Sequence, residues 1–235
     1  MRVARRAPVA NSMLAALPRK QYQRLSTGLE SVALGFGEVL HEPGERIRHV
    51  YFPSDSLVSL LTVVEGHRAL EVGMVGREGM VGVPLYLGTD VSSVRALVQG
   101  AGTAMRMKSA RFFEEIRKSR QLQQEVGRYT RALMAQITRT AACNRFHVVE
   151  ARLARWLLMT RDRVRSDEFR LTHAFLGHML GVRRVGVTTA ARALQKRKLI
   201  AYSRGRIRIL DRLRLEGAAC SCYELVRNMN GGARG

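Results

Sequence analysis

Cysteine is scarce in this chain. Three residues of 235, Cys143, Cys220 and Cys222, form an odd and sparse set that makes no disulfide framework, so a reducing cytoplasm is the expected compartment. Long apolar runs are missing too: nothing approaches the roughly 20 residues of a membrane span. The arginine-bearing start has no apolar stretch long enough for a signal peptide, and residues 1 to about 11 read as a loose basic arm. No phosphate-loop glycine pattern and no nucleophile, base and acid set is visible, so no catalytic residue is expected. His41, His49 and His67 lack compact ligand spacing. Cys220 and Cys222 are two thiols with no neighbouring histidine in the sequence, which points to a surface or packing role. Cys143, on a long helical pattern, is read as a small core hydrophobe. No metal and no cofactor is expected.

Acidic side chains are the last shortage: 19 against 40 lysines and arginines, a formal charge of +21. Residues 1–108 hold 13 basic and 9 acidic groups, and residues 109–235 hold 27 and 10. The positive field therefore belongs to the second half. Its natural partner is a polyanion, and duplex DNA fits best.

What the second half contains explains that field. The run from Phe169 to Leu210 reads FRLTHAFLGHMLGVRRVGVTTAARALQKRKLIAYSRGRIRIL. Thr172 can cap a first helix with its hydroxyl, and Leu176, Met179 and Leu180 recur at helical spacing. Gly181 supplies a turn that demands positive φ, and Val182 packs beneath it. A second helix is predicted from about Arg183 to Lys198, with Val187, Ala190, Ala191 and Leu194 on its apolar face. Gly177 and Ala190 are small where the two helices should approach. The opposite face carries Arg183, Arg184, Thr188, Thr189, Arg192 and Gln195. Arginine can reach a guanine edge with two hydrogen bonds, and threonine can meet a base or a thymine methyl. Ile200 to Leu210 alternates apolar and basic residues around Ser203-Arg204-Gly205, a hairpin whose tip, with Arg206, is basic. This is the pattern of a winged helix-turn-helix.

Upstream, residues 13–29 read as one or two short helices broken near Pro18. From Val32 to Met107 short apolar runs alternate with Gly, Pro, Asp and Ser, with a hairpin turn expected at Glu65-Gly66. Many short strands at this spacing indicate a closed or sandwiched antiparallel β domain. Gly73, Gly76, Gly79 and Gly82 mark bends and close backbone approaches. After a short helix at Ala110–Lys118, a long helix is predicted from about Arg120 to Asn144. Leu122, Val126, Tyr129, Leu133, Ile137 and Ala141 fall at spacings of four and three along it, a seam able to pack against a copy of itself. A bend near Arg145 to His147 precedes a helix from Val148 to Arg163 with Leu153, Trp156, Leu157 and Met159 on its apolar side.

This order, with TAACNRFHVVEARLARWLLM at Thr140 to Met159 and LTHAFLGHMLGVRRVGVTTAARALQ at Leu171 to Gln195, resembles the Crp/Fnr family of bacterial transcription regulators. The resemblance covers Leu14 to Tyr223. It implies an α+β chain: a double-stranded β-helix (a jelly roll of the cyclic-nucleotide-binding type) at residues 12–118, a dimerisation helix at 119–146, and a winged-helix DNA reader at 147–223. It implies a homodimer on inverted-repeat promoter sites, with RNA polymerase as a further partner. Arg184 matches the family's guanine-reading arginine. Val185 stands where an acidic residue often follows, and Thr189 where a second base-reading arginine stands, so the half-site should differ from that of the cyclic-AMP receptor. His173, Arg183 and Arg192 match positions near phosphates. In the effector loop, Gly82, Val83, Ser92 and Ser93 replace the family's ribose- and phosphate-binding groups, and Glu78, Gly79 and Arg95 lie nearby but out of register. Cyclic AMP is therefore not the expected effector, because a buried phosphate would lack its cation. The N-terminus has no cysteine cluster for an iron–sulfur centre. The competing readings are a cupin-like metal or small-molecule enzyme and a nonspecific nucleic-acid-coating protein.

Overall fold

The computed structural model describes residues 9–64 and 68–229; the expected turn at Glu65-Gly66, His67 and most of the basic arm lie outside them. After two short helices, α1 (Ser12–Ala15) and α2 (Arg19–Ser26), the chain builds two antiparallel sheets. One orders β1 (Glu30–Leu34), β7 (Gly102–Lys108) and β3 (His49–Pro53). The other orders β2 (Val39–His41), β6 (Arg95–Gly100), β4 (Leu57–Val64) and β5 (Arg68–Val75). Val50, Phe52, Val58, Leu60, Val98 and Met107 fill the space between them, closed by Phe112 of α4 (Ser109–Lys118). A short helix, α3 (Val83–Tyr86), follows the glycine-rich loop. This is the expected α+β class with a jelly-roll-like β domain. His41 and His49 sit on strands of different sheets.

Strand β4 shows why one apolar run serves two cores. Residues alternate faces along a strand. Val58 and Leu60 point into the β domain, while Leu57 and Leu61 join a second core with Met74, Leu153, Trp156 and Leu157. That second core belongs to α6 (Val149–Val164), which lies across the outer face of the sheet and is buried almost all round. Glu71 of β5 accepts a hydrogen bond from Trp156 Nε1 at 2.9 Å, and its other carboxyl oxygen lies 2.6 Å from Ser59 Oγ. The β domain and the C-terminal unit are thus joined by a packed interface with a polar centre, rather than by a loose linker.

The long helix α5 spans Arg120–Phe146 and is capped by Ser119 Oγ, which accepts from Leu122 N at 3.1 Å. Its position corrects the expected self-packing seam. Leu122, Val126, Tyr129 and Leu133 are buried in the chain's own β domain, while Ile137 is 36% exposed and Ala141 is also exposed. A helical apolar stripe records that something must cover it, not what does. The side-chain amide of Gln136 fixes the arrangement: it accepts from Met74 N at 3.2 Å and donates to Met74 O at 3.1 Å. Gly79 makes the close approach possible, since a Cβ there would stand 2.0 Å from the Tyr129 ring.

Candidate nucleic-acid interface

The helix-turn-helix forms around α7 (His173–Leu180) and α8 (Arg184–Lys196). Thr172 Oγ1 accepts from Phe175 N at 3.1 Å and so occupies one of the free donors of the first turn of α7. Gly181 ends α7 at φ 62, where a side chain would be strained. Gly177 meets the turn and the start of α8: a Cβ there would lie 2.9 Å from the Val182 carbonyl oxygen and 3.6 Å from Arg184 N. Arg152 of α6 donates one hydrogen bond to Asn144 Oδ1 at 2.7 Å and another to the Leu180 carbonyl, placing a cation at the C-terminus of α7.

Helix α8 buries Val187, Ala190, Ala191 and Leu194 against α6 and α7. Arg183, Arg184, Val185, Thr189 and Arg192 are exposed on its other side. Thr188 is half-buried. Its hydroxyl donates to Arg184 O at 3.0 Å and lies 2.9 Å from His173 Nδ1. The His173 ring stacks on Tyr202 with centroids 4.2 Å apart. Burial, then the nearby Arg184 and Arg192 charges, hold its pKa below the usual histidine value. His173 is therefore a neutral bridge between α7, α8 and the wing, and Thr188 is its partner. The cations of the outward face are the arginines.

The wing is a three-stranded sheet in the order β8 (Glu168–Arg170), β10 (Arg206–Ile209) and β9 (Ile200–Ser203). Strand β8 is too short to signal itself in the sequence, but it pairs Phe169 with Ile207 and covers the edge of β10. Arg204 and Gly205 both take positive φ, 46 and 76, the geometry of a two-residue hairpin turn. Ser203, Arg204 and Arg206 are exposed at or beside this tip, with Arg206 3.7 Å from Glu168. The sequence-predicted cations Arg183, Arg184, Arg192, Arg204 and Arg206 are thus all at the surface of one small unit.

Among the expected effector residues, the side chains of Glu78, Ser92 and Arg95 have partners within the chain. Glu78 accepts from Arg163 Nε at 2.7 Å, so it is spent on α6. Arg95 donates to Glu42 at 2.7 Å, and Ser92 Oγ donates to Val94 O at 2.7 Å. Gly79 lies under Tyr129, Gly82 against Val50, Val83 is buried and Ser93 is exposed. The polar groups that a nucleotide would need are already paired within the chain. A cleft of about 410 Å³, lined in part by Glu78, opens between the Arg77-Glu78 loop and the ends of α6, α9 (Arg212–Ala218) and α10 (Cys222–Met229). Arg77, Arg161, Arg163, Arg165, Arg212 and Arg227 line it, four of them ion-paired with Glu78, Asp162, Asp167 or Glu216.

The cysteines keep to the expected packing role, as one small buried cluster. Cys143, Cys220 and Cys222 are buried together, and His147 completes the group, although no histidine neighbours Cys220 in the sequence.

Residues 151–218 match the family model of the Crp-like helix-turn-helix domain. No curated protein matches the sequence. Among solved structures, the c-di-GMP-responsive global regulator Clp of Xanthomonas campestris superposes with a TM-score of 0.68 at 16% identity, over 83% of this chain and 100% of that one. FixK2 of Bradyrhizobium japonicum gives 0.67 at 13% identity, over 82% and 98%. A Crp/Fnr-family transcriptional regulator of Thermus thermophilus gives 0.66 at 21% identity, over 81% and 98%. These likenesses establish the fold. Among the described residues, no helix is long and apolar enough to cross a membrane.

Proposed function

We propose, starting from a chain that by residues 151–218 belongs with the Crp-like helix-turn-helix domains and by its overall fold with the Crp/Fnr transcription regulators, that it works as a homodimeric, sequence-specific DNA-binding regulator in the cytoplasm. One observation carries this reading: Arg183, Arg184, Thr189 and Arg192 stand exposed on a helix whose other face is locked into a core, beside a wing tip bearing Arg204 and Arg206. An exposed, rigidly backed cationic helix fits the major groove, and the wing arginines fit the flanking phosphates. Arg184 is assigned the base-reading role. Arg183, Arg192, Arg204 and Arg206 are assigned backbone contacts, with Ser203 beside them. His173 and Thr188 are assigned the positioning of α8.

In this reading residues 12–118 form a sensory β domain, 119–146 the dimerisation helix and 147–223 the reader. The face of α5 left for a second copy is that of Met134, Ile137 and Ala141, continued by Phe146 and Val148; Met134 is 61% exposed, Phe146 77% and Val148 72%. Two readers joined there would present α8 and its copy to successive major grooves, about 34 Å apart on an inverted repeat. The internal pairing of Glu78, Ser92 and Arg95 supports an effector other than cyclic AMP. RNA polymerase enters as a partner through the family resemblance alone.

The test is a footprint of fragments captured by the purified chain, followed by competition between the recovered site and bulk DNA. An inverted repeat with strong preference over bulk DNA is expected. Arg184→Ala should lose about 1–3 kcal/mol at one base pair and little elsewhere. Equal loss on every sequence would remove Arg184 from the base-reading role, and no preference for any duplex would leave only a coating protein.

A further inference from the structure

The C-terminal end of α5, the bend after it and the start of α10 bring four metal-ligating side chains to one point. Cys143 lies on the last turn of α5 and His147 four residues on, so both project from the same side of the helix end. Cys220 lies in the short α9–α10 connection and Cys222 opens α10. The ligand atoms of all four lie within 4.8 Å of one another. Cys143 Sγ is 3.4 Å from Cys220 Sγ, and Cys222 Sγ is 3.8 Å from His147 Nδ1. A zinc ion bound tetrahedrally, with Zn–S near 2.3 Å and Zn–N near 2.0 Å, separates its ligand atoms by about 3.5–3.8 Å. These two spacings lie on either side of that edge, and all four ligand atoms lie within 4.8 Å of one another. They exceed the roughly 2.05 Å of a disulfide, so the thiols are near one another without being bonded.

The surroundings favour a charged centre over a cluster of inert thiols. Arg155 of α6 is 5% exposed, yet its hydrogen-bond partner among the described residues is the neutral Thr140 Oγ1, at 3.3 and 3.5 Å, and its Nε is unpartnered. A buried guanidinium with no carboxylate in hydrogen-bond contact is costly. Its charge acts on Cys143, Cys220 and Cys222 alike. Three thiolates, one neutral imidazole and a divalent ion sum to a single negative charge, which Arg155 would balance.

We propose that Cys143, His147, Cys220 and Cys222 form a closed, structural Cys₃His site for a zinc ion, which clamps α10 onto the bend between α5 and α6. The donor set selects the ion: three thiolates and an imidazole suit zinc, and four protein ligands leave no open position for catalysis. The site ties the rod helix, the bend and the C-terminal helix together, so it sets the angle at which the winged unit leaves α5. Loss of the ion would loosen the start of α10, leaving the helix held by buried Tyr223 and Val226 and by the hydrogen bond from Tyr223 to Asp162.

The test uses the full chain, purified under reducing conditions, with metal measured by mass spectrometry. One zinc per chain is expected, lost in Cys220→Ser, Cys222→Ser and His147→Ala and retained in His147→Cys, which rebuilds a four-thiolate site. The metal-stripped wild-type chain titrated with cobalt(II) should develop thiolate-to-cobalt charge-transfer absorption saturating at one ion per chain. That measurement needs no variant to fold. Stripping should also speed amide exchange across residues 220–226 while α7 and α8 stay protected. The proposal is overturned if the reduced wild-type chain takes up neither zinc nor cobalt, if it carries iron instead, if both serine variants keep their zinc, or if a Cys143–Cys220 disulfide is found in a chain that gives no tetrahedral cobalt spectrum. DNA binding is read separately, so failure of the regulator assignment would leave this result standing.

Discussion

Glu71→Gln offers a quantitative probe of how the β domain is fastened to the DNA-binding unit. Glu71 is buried at their junction, and burial pushes its carboxyl up from 4.5 to about 7, against the opposing pull of Ser59, Arg155, Trp156 and Arg163. The hydrogen bonds agree with a neutral acid. Ser59 Oγ lies against both Glu71 Oε2 and Gln99 Oε1, two oxygens that its one proton cannot serve. A protonated carboxyl resolves the conflict by donating to Ser59, which then donates to Gln99. With its folded pKa above the unfolded one, the folded chain binds more protons between pH 4.5 and 7. Stability therefore falls as pH rises through that window and stays lower above it. A gap of about 2.5 units corresponds to about 3 kcal/mol, of which about 2.5 kcal/mol is lost between pH 5 and pH 8. Glutamine keeps the shape and stays neutral, accepting from Trp156 and donating to Ser59. Urea unfolding followed by fluorescence of Trp156, the chain's one tryptophan, reports from the site itself. The stability difference, Glu71→Gln minus wild type, should grow by about 2.5 kcal/mol from pH 5 to pH 8. A difference constant within about 0.5 kcal/mol, or one that shrinks as pH rises, would refute the buried neutral acid.

Neighbouring positions on α5 should behave in opposite ways. Met134→Glu, at a 61% exposed site, should leave melting nearly unchanged and lower the sedimentation-derived dimer fraction; Leu133→Glu, at a 6% exposed site, should cost more than about 3 kcal/mol of stability. A monomer–dimer balance indifferent to Met134→Glu would remove that face from the interface. Gly79→Ala places a Cβ 2.0 Å from the Tyr129 ring, so it should lower stability by about 3 kcal/mol in thermal unfolding, and an unchanged melting temperature would contradict the packing of α5 on the β domain. Arg206→Ala should weaken binding to all duplexes alike and reduce the salt slope by about one, and an intact slope would exclude Arg206 as a phosphate contact.

The reader unit was legible in the sequence because its rules are local. The Thr172 cap, the turn at Gly181, the apolar spacing of Val187, Ala190, Ala191 and Leu194, and the Arg204-Gly205 hairpin each depend on residues within a few positions. The same holds for the strands of the β domain and for the extent of α5. Short elements such as α10 and β8 escaped, because they owe their existence to what they pack against. The tertiary structure alone decided what covers each face. Spacing shows that Leu122, Val126, Tyr129 and Leu133 share one side of a helix, and a β domain and a second copy satisfy that side equally; the chain chose its own β domain. It likewise paired Glu78 with Arg163 and Arg95 with Glu42, and raised Glu71 by burying it under Trp156. It brought Cys143 to Cys220, 77 positions away, and His147 to Cys222, 75 away. Periodicity fixes which residues look the same way, because backbone geometry is local; which distant groups meet is settled by burial of whole surfaces, and no short stretch of sequence carries that information.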